Sequence, residues 1–295
     1  MKFSMHSHTW HSIDSFISVE EFLIELQKNG INIASITDHN SVDAYYEIKQ
    51  KNLERLFTGK LVIGTELDVR QGDYNFDVTC YGFNLDKMKK MLDTVYGSIA
   101  DCNIKRYNEI IKVAKEKGFV VNESFVYDNP TELYAYGAAY QNLFSMPENI
   151  ERLGDKLPKT YGEFFRLVTT DKTFPLYYQT TAARPKLEDV VKFVHSIGGK
   201  VFLAHPFEYY SDESTFGILK EVEGLIDGVE VFNSNVTPEQ IAILKEYVKK
   251  HNLLMSGGTD YHYPKRANVL LPEVEEKDAE KIAEWAYDCQ NNQMQ

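Results

Sequence analysis

Short, mainly apolar runs alternate along this chain with apolar stripes at helical spacing, and each change of period marks a passage between elements. Residues 2–5 predict a first strand. Ser18 with Glu21 three positions later forms a capping box, after which Val19, Phe22, Leu23 and Leu26 make one apolar helical face that Gly30 ends. Residues 31–37 predict a second strand running into Asp38-His39-Asn40, and residues 41–56 a second helix. A strand over 61–63 then leads to Gly64-Thr65-Glu66, and a further strand over 75–81 ends near Gly82.

The pattern changes between about residues 85 and 184. Helical stripes dominate there (Met88, Met91, Leu92 and Val95, then Ile110, Val113 and Ala114), and strand signals are few. Aromatic residues are dense, as in Tyr134, Tyr136, Tyr140, Phe144, Phe164 and Phe165. A separate, mostly helical subdomain over 91–184 accounts for this, with those rings as its core rather than as platforms for nucleic-acid bases.

Alternation resumes with a helix carrying Leu187, Val190, Val191 and Val194, then a strand over 200–204 that ends in His205-Pro206. A helix near 216–226 and a strand over 228–232 follow, the strand ending at Asn233. Thr237-Pro238-Glu239-Gln240 combines a capping box with proline at the first helical position. The strand over 253–256 reaches Gly257-Gly258-Thr259-Asp260-Tyr261-His262, and a helix over 276–289 precedes a polar tail. Strand-then-helix alternation implies parallel strands with helical crossovers. The expected fold is α/β: a distorted barrel of about seven units over residues 1–90 and 185–275, with the helical insertion between them and a C-terminal helix and tail over 276–295. A doubly wound sheet would carry a glycine-rich phosphate turn, which the chain lacks.

Composition mainly excludes. Of 295 residues 43% are hydrophobic and 26% charged, as in ordinary soluble globular proteins. A net charge of −12 argues against a broad basic face that coats nucleic acid. It leaves open a small phosphorylated partner held through bound cations, which dominate a local field. Cys80, Cys102 and Cys289 have no zinc-like spacing and read as reduced thiols, and no apolar run is long enough to span a bilayer. A cytoplasmic protein without a membrane partner is expected, and oligomeric state is not legible.

Candidate chemistry gathers at strand ends. His6 and His8, two apart on an extended run, present both imidazoles to one side, half of a metal site, and Asp14 beyond them offers an oxygen. His39, Glu66, His205, Asp260 and His262 each follow a predicted strand as well. In an α/β barrel such ends open on one face. Taken singly, His39 fits a turn, His205 a satisfied core histidine and Glu66 a partner for a basic side chain. Five of the eight histidines share this placement, which favours a common purpose. His195 and His251 near helix C-termini need only a structural role, and His11 is ambiguous. So many imidazoles and carboxylates exceed the needs of one ion and suggest two or three divalent ions, Mn, Fe or Zn rather than Ca or Mg.

His6-Ser7-His8, Ile36-Thr37-Asp38-His39-Asn40, Gly64-Thr65-Glu66, Leu203-Ala204-His205-Pro206 and Gly258-Thr259-Asp260-Tyr261-His262 resemble, in order, the motifs of the PHP family, the polymerase and histidinol phosphatase superfamily. The resemblance covers the chain outside the insertion. It implies a distorted seven-stranded barrel with a trinuclear metal site: one ion on His6, His8, Glu66 and Asp260, a second sharing Glu66 and taking His205, a third on Asp14, His39 and His262. It implies a metal-dependent phosphoesterase using a metal-activated hydroxide, with Glu66 and either His205 or His262 in catalysis, the histidine as proton donor. The helical insertion looks like that of the branch that hydrolyses nucleoside phosphates or trims short RNA from its 5′ end. Expected substrates are therefore nucleotides or short 5′-phosphorylated oligonucleotides, with the insertion walling the pocket. A histidinol-phosphatase-like enzyme and a non-catalytic metal-binding module are the alternatives, and the full ligand set argues against the second. Two departures stand out. Asp77 replaces a histidine common in the family and is expected to complete the second site. No arginine in residues 129–134 matches the one expected to grip a substrate phosphate, and Arg184 is the substitute candidate.

Overall fold

The computed structural model describes residues 1–12, 14–178, 184–209, 212–270 and 274–289. Its strands are β1 (Phe3–Ser4), β2 (Ile33–Ile36), β3 (Lys60–Gln71), β4 (Tyr74–Tyr81), β5 (Lys200–Leu203), β6 (Gly228–Asn233) and β7 (Leu254–Gly258). They form one sheet in that order, and its ends meet. The Met5 N–H donates to the Gly257 carbonyl (3.0 Å) and the His8 N–H to the Tyr261 carbonyl (2.9 Å), so the stretch after β1 pairs with the end of β7 and nearly closes a barrel. Gly258 permits the closure, because a Cβ there would stand 2.3 Å from the His6 backbone nitrogen. Burial on both faces explains the continuous apolar runs: every residue of β2 and of β6 is buried.

The helices are α1 (Val19–Lys28), α2 (Asp43–Lys51), α3 (Leu85–Val95), α4 (Ile99–Glu116), α5 (Ala135–Phe144), α6 (Pro147–Leu153), α7 (Tyr161–Thr170), α8 (Leu187–Ser196), α9 (Asp212–Glu221), α10 (Pro238–His251) and α11 (Glu276–Asp288). The capping boxes at Ser18/Glu21 and Thr237/Gln240 form as expected and start α1 and α10. α2 is shorter than its pattern suggests. Its last turn is capped by Asn52 in the left-handed region (φ +54°), and a single 3-10 turn, Glu54–Leu56, follows.

The sheet corrects the all-parallel expectation. β1–β2–β3 and β5–β6–β7 are parallel, but β4 runs antiparallel to β5. β3 does not stop at residue 63; it continues to Gln71 and turns at Gly72 (φ +53°) straight into β4, with no helix between. Glu66 is therefore a mid-strand residue. Because β4 is reversed, its early residues, Asp77 among them, lie at the same end of the barrel as the C-terminal ends of the other strands.

The chain forms two compact units, residues 1–72, 76–92 and 185–295, and residues 73–75 and 93–184. The second holds α4 to α7 around a core that includes Ile110, Tyr136, Leu143, Phe164 and Val168. Tyr136 and Phe164 are buried in that core, and Tyr134, Tyr140, Phe144 and Phe165 pack against it. Buried asparagines satisfy its connecting backbone: Asn103 Nδ2 donates to the Pro130 carbonyl (2.9 Å) while its Oδ1 accepts from the Ala135 N–H (3.1 Å).

Candidate metal centre

The first unit gathers most of the residues expected at the site. Three groups of side chains each place one ligand atom per residue within 4.8 Å of the others: His6, His8, Glu66 and Asp260; Glu66, Asp77 and His205; His8, Asp14, His39 and His262. Glu66 belongs to two groups and links them. The rings crowd closely, with His8 and His262 stacked at 4.1 Å between centroids and His8 and His39 at 4.7 Å.

Three of the rings are oriented from behind. His6 Nδ1 lies 3.0 Å from Glu230 Oε2, a buried carboxylate that can only accept, so Nδ1 carries the proton and Nε2 is left to face Glu66 (3.0 Å) and Asp260 (3.3 Å). His8 Nδ1 reaches Ser12 Oγ (3.1 Å), which also accepts the His39 backbone N–H (2.8 Å). His262 Nδ1 donates to the Asp260 carbonyl (2.8 Å), and its Nε2 faces Asp14 (3.2 Å). His205 Nε2 meets Glu66 Oε1 at 2.9 Å. Arg266 binds the second oxygen of Asp260 and is held by Glu208 (2.8 Å), which leaves Asp260 Oδ1 to the histidines.

Several side-chain atoms of these groups have no hydrogen-bond partner among the described residues. These are His8 Nε2, Asp14 Oδ1, Asp260 Oδ1 and His205 Nδ1, all buried. His8 Nε2 stands 3.2 Å from Glu66 Oε2 and 3.1 Å from Asp260 Oδ1 without alignment to either. A buried acceptor left this way is costly unless a cation or a donor completes it. The donor set, imidazole nitrogen with carboxylate oxygen, suits a divalent transition metal, so the residues fit the group.

The electrostatics agree. Burial alone would lower the His6 pKa, but Glu66, Glu230 and Asp260 reverse this and hold it well above its ordinary value. His205 is likewise lowered by burial and then lifted to about 10, chiefly by its hydrogen bond to Glu66. Against the same burial term, Asp14 and Asp260 raise His262 to about 9. Burial would raise Glu66 and Asp260, yet the surrounding histidines depress both well below the usual carboxylate range. A cluster that concentrates protons on its imidazoles and charge on its carboxylates offers a cation the same field.

Two of the candidate ligand residues have strained backbones. His205 (φ +27°) and Asp260 (φ +50°) lie in the left-handed region, unusual for non-glycine residues and frequent where geometry serves a site. Asp77 joins Glu66 and His205, and its backbone is fixed by the Tyr209 hydroxyl, which accepts its N–H at 3.1 Å. Arg184 is buried and is the last residue of the second unit. His11 points away from the three groups, with Nε2 on Glu47 (2.7 Å). His195 pairs with Asp227 (2.8 Å) and His251 with Glu223 (3.4 Å), consistent with structural roles. Sequence reasoning missed Glu230, Ser12, Arg266 and Glu208. Only Glu230 carried a signal, a carboxylate inside an otherwise apolar strand.

Residues 4–286 match the family model described as PHP domain. Among curated proteins, a 5′-3′ exoribonuclease of Haemophilus influenzae is 23% identical over 275 residues, covering 89% of this chain and 90% of that protein. The Escherichia coli 5′-3′ exoribonuclease Rnm is 22% identical over 277 residues, covering 89% and 85%. Among solved structures, a predicted metal-dependent phosphoesterase from Bifidobacterium adolescentis superposes with a TM-score of 0.61 at 19% identity, covering 95% of this chain and 94% of that one. An amidohydrolase from Chromobacterium violaceum, with bound sulfate and no metal, gives 0.67 at 18% identity, covering 94% and 93%. These two likenesses bear on the fold.

Proposed function

We propose that this chain, which belongs to the PHP domain family and is a metal-dependent phosphoester hydrolase, acts on nucleotides or short 5′-phosphorylated oligonucleotides. The observation that carries the reading is the gathering of imidazole nitrogens and carboxylate oxygens into three groups, two of them sharing Glu66, with buried His8 Nε2 and Asp260 Oδ1 left without hydrogen-bond partners among the described residues. The exoribonuclease names of two relatives that match over most of their length support the substrate class.

In this reading His6, His8, Glu66 and Asp260 hold one ion, Glu66, Asp77 and His205 a second, and Asp14, His39 and His262 a third. His8 also stands near the third group, but its Nε2 has one lone pair and serves one ion. Manganese, iron or zinc bound there supplies Lewis-acid polarisation of the phosphoryl group and a lowered pKa for the attacking water. The chain does the rest by holding its donors still. Glu230 fixes the His6 tautomer and the Asp260 carbonyl that of His262, while Ser12 holds the His8 ring in place. Either His205 or His262 serves as the proton donor to the leaving oxygen. Arg184 is assigned to a substrate phosphate. The test is a screen of nucleoside monophosphates, histidinol phosphate and 5′-phosphorylated oligoribonucleotides with the metal-loaded protein, in wild type and Arg184→Ala. Turnover should favour the nucleotide substrates, and Arg184→Ala should raise their KM about tenfold, the scale of a lost charged contact. Turnover of histidinol phosphate alone would refute the substrate class, and an unchanged KM for every substrate would remove Arg184.

A further inference from the structure

The loops that carry the candidate ligands also expose aromatic rings. Among the described residues of the first unit, Trp10, Phe16, Phe216, Tyr263 and Tyr287 are strongly exposed, and the first, second and fourth of these lie within two positions of a candidate ligand. Trp10 is already engaged, its Nε1 donating to Glu47 (2.9 Å) and Lys51 lying over its ring (5.6 Å). The backbones of Phe16 and Tyr263 run beside each other. The Phe16 N–H donates to the Tyr263 carbonyl (3.1 Å), and the Tyr263 N–H reaches Ser15 Oγ (3.3 Å).

Packing does not account for Phe16. Its neighbours Ser15 and Ile17 are 2% and 7% exposed, while Phe16 itself is 64% exposed. The loop therefore turns its neighbouring residues inward and leaves a phenylalanine facing solvent. Tyr263 repeats the pattern, 45% exposed two positions after Tyr261 at 2%. Phe16 follows Asp14 by two residues, a span of at most about 7 Å, and Tyr263 directly follows His262. A phosphate seated among Asp14, His39 and His262 would bring its own nucleoside to this rim.

We propose that Phe16 and Tyr263 form a stacking platform for the nucleobase next to the reacting phosphate, which makes them specificity-determining residues. The proposal rests on the nucleotide reading above and adds the subsite that would select a base-bearing substrate. Every nucleobase has a flat π-face, so such a platform is tolerant of sequence.

The test compares 5′-phosphorylated pentaadenylate with the same oligomer made abasic at its first residue, using metal-loaded protein. The readout is the ratio of their kcat/KM values. Wild type should prefer the base-bearing oligomer. Phe16→Ala and Tyr263→Ala should each collapse the ratio about five- to a hundredfold, the range that base–aromatic stacking implies, and Phe16→Trp should restore it. A 2-aminopurine at the first position gives an independent signal: its emission should be quenched on binding wild type and not on binding Phe16→Ala. Both residues are exposed, so loss of folding does not confound the comparison. An unchanged ratio in both alanine variants overturns the platform, as does self-association of the protein that Phe16→Ala abolishes without moving the ratio. Failure of the nucleotide phosphoesterase reading looks different: wild type then cleaves neither oligomer, and the platform falls with it.

Discussion

Glu230→Gln changes one buried atom and tests how the centre is held. Glu230 is 1% exposed in β6, and its Oε2 accepts from His6 Nδ1 (3.0 Å) and from the His205 backbone N–H (2.7 Å). Oε1 accepts from Asn233 Nδ2 (3.2 Å). Glutamine keeps one acceptor oxygen. If that oxygen faces His6 and His205, the new amide nitrogen meets the Asn233 donor; if it turns the other way, His6 and His205 lose their acceptor. Either way a charged hydrogen bond worth about 1.5–3 kcal/mol becomes a neutral one worth about 1 kcal/mol or is lost. Loss of a carboxylate behind a ligating histidine typically costs about 10- to 100-fold in metal affinity, or about 1.4–2.8 kcal/mol. The two estimates agree, so the ion on His6 should bind about 10- to 100-fold more weakly. The assay is competition against a fluorescent chelator, with thermal unfolding in EDTA to score the metal-free fold separately. Wild-type affinity at every site in Glu230→Gln would refute the view that this carboxylate orients His6.

Two further outcomes follow from the same geometry. Asp77→Ala should lower metal content by up to one ion per chain and cut turnover by about tenfold or more, whereas Asp77→His should keep much of the binding; wild-type stoichiometry and rate in Asp77→Ala would show that Glu66 and His205 manage without it. Metal binding should release protons: His6, His39, His205 and His262 have raised pKa values, His262 to about 9 and His205 to about 10, so in the metal-free protein their protonated forms stabilise the fold below the ordinary pKa of about 6.5 and that contribution fades as pH rises through the raised values. Affinity should therefore climb with pH up to about 9–10, and at pH about 7.5 the calorimetric enthalpy should depend on the ionisation heat of the buffer; a buffer-independent enthalpy would contradict the assignment.

What was legible in the chain was local. Ser18/Glu21 and Thr237/Gln240 announce helix starts because a capping box is satisfied within four residues, and the short apolar strands announce themselves because both of their faces are buried. The hairpin was not legible as read. Leu67 and Val69, buried between less apolar neighbours, continue β3 with period two, and Gln71-Gly72-Asp73 is a turn, yet a habit of strand-then-helix alternation hides both. Since side-chain chemistry repeats at strand ends, His6, His8, His39, His205, Asp260 and His262 could be picked out from sequence, and the structure brings them together with Glu66 and Asp14. Reversal of β4 explains how Asp77, early in its strand, reaches the same rim. Glu230 was hidden by its position in the middle of Val229-Glu230-Val231, where only the cost of burying a lone carboxylate hints that a partner must exist. Ser12 and Arg266 lie in loops and Glu208 ends a short 3-10 turn (Pro206–Glu208), where contacts depend on the path of two or three separate segments and no spacing rule applies.

The central claim is that the convergent histidines and carboxylates bind divalent metal and that phosphoester hydrolysis depends on it. The direct measurement is metal content by elemental analysis alongside turnover of a 5′-phosphorylated oligoribonucleotide, for protein purified without chelator, after exhaustive EDTA dialysis, and after adding back manganese, iron or zinc one at a time. Two or three ions per chain are expected as purified, with loss of both metal and activity on dialysis and recovery with at least one of the added ions. Full activity in protein shown to be metal-free would contradict the claim.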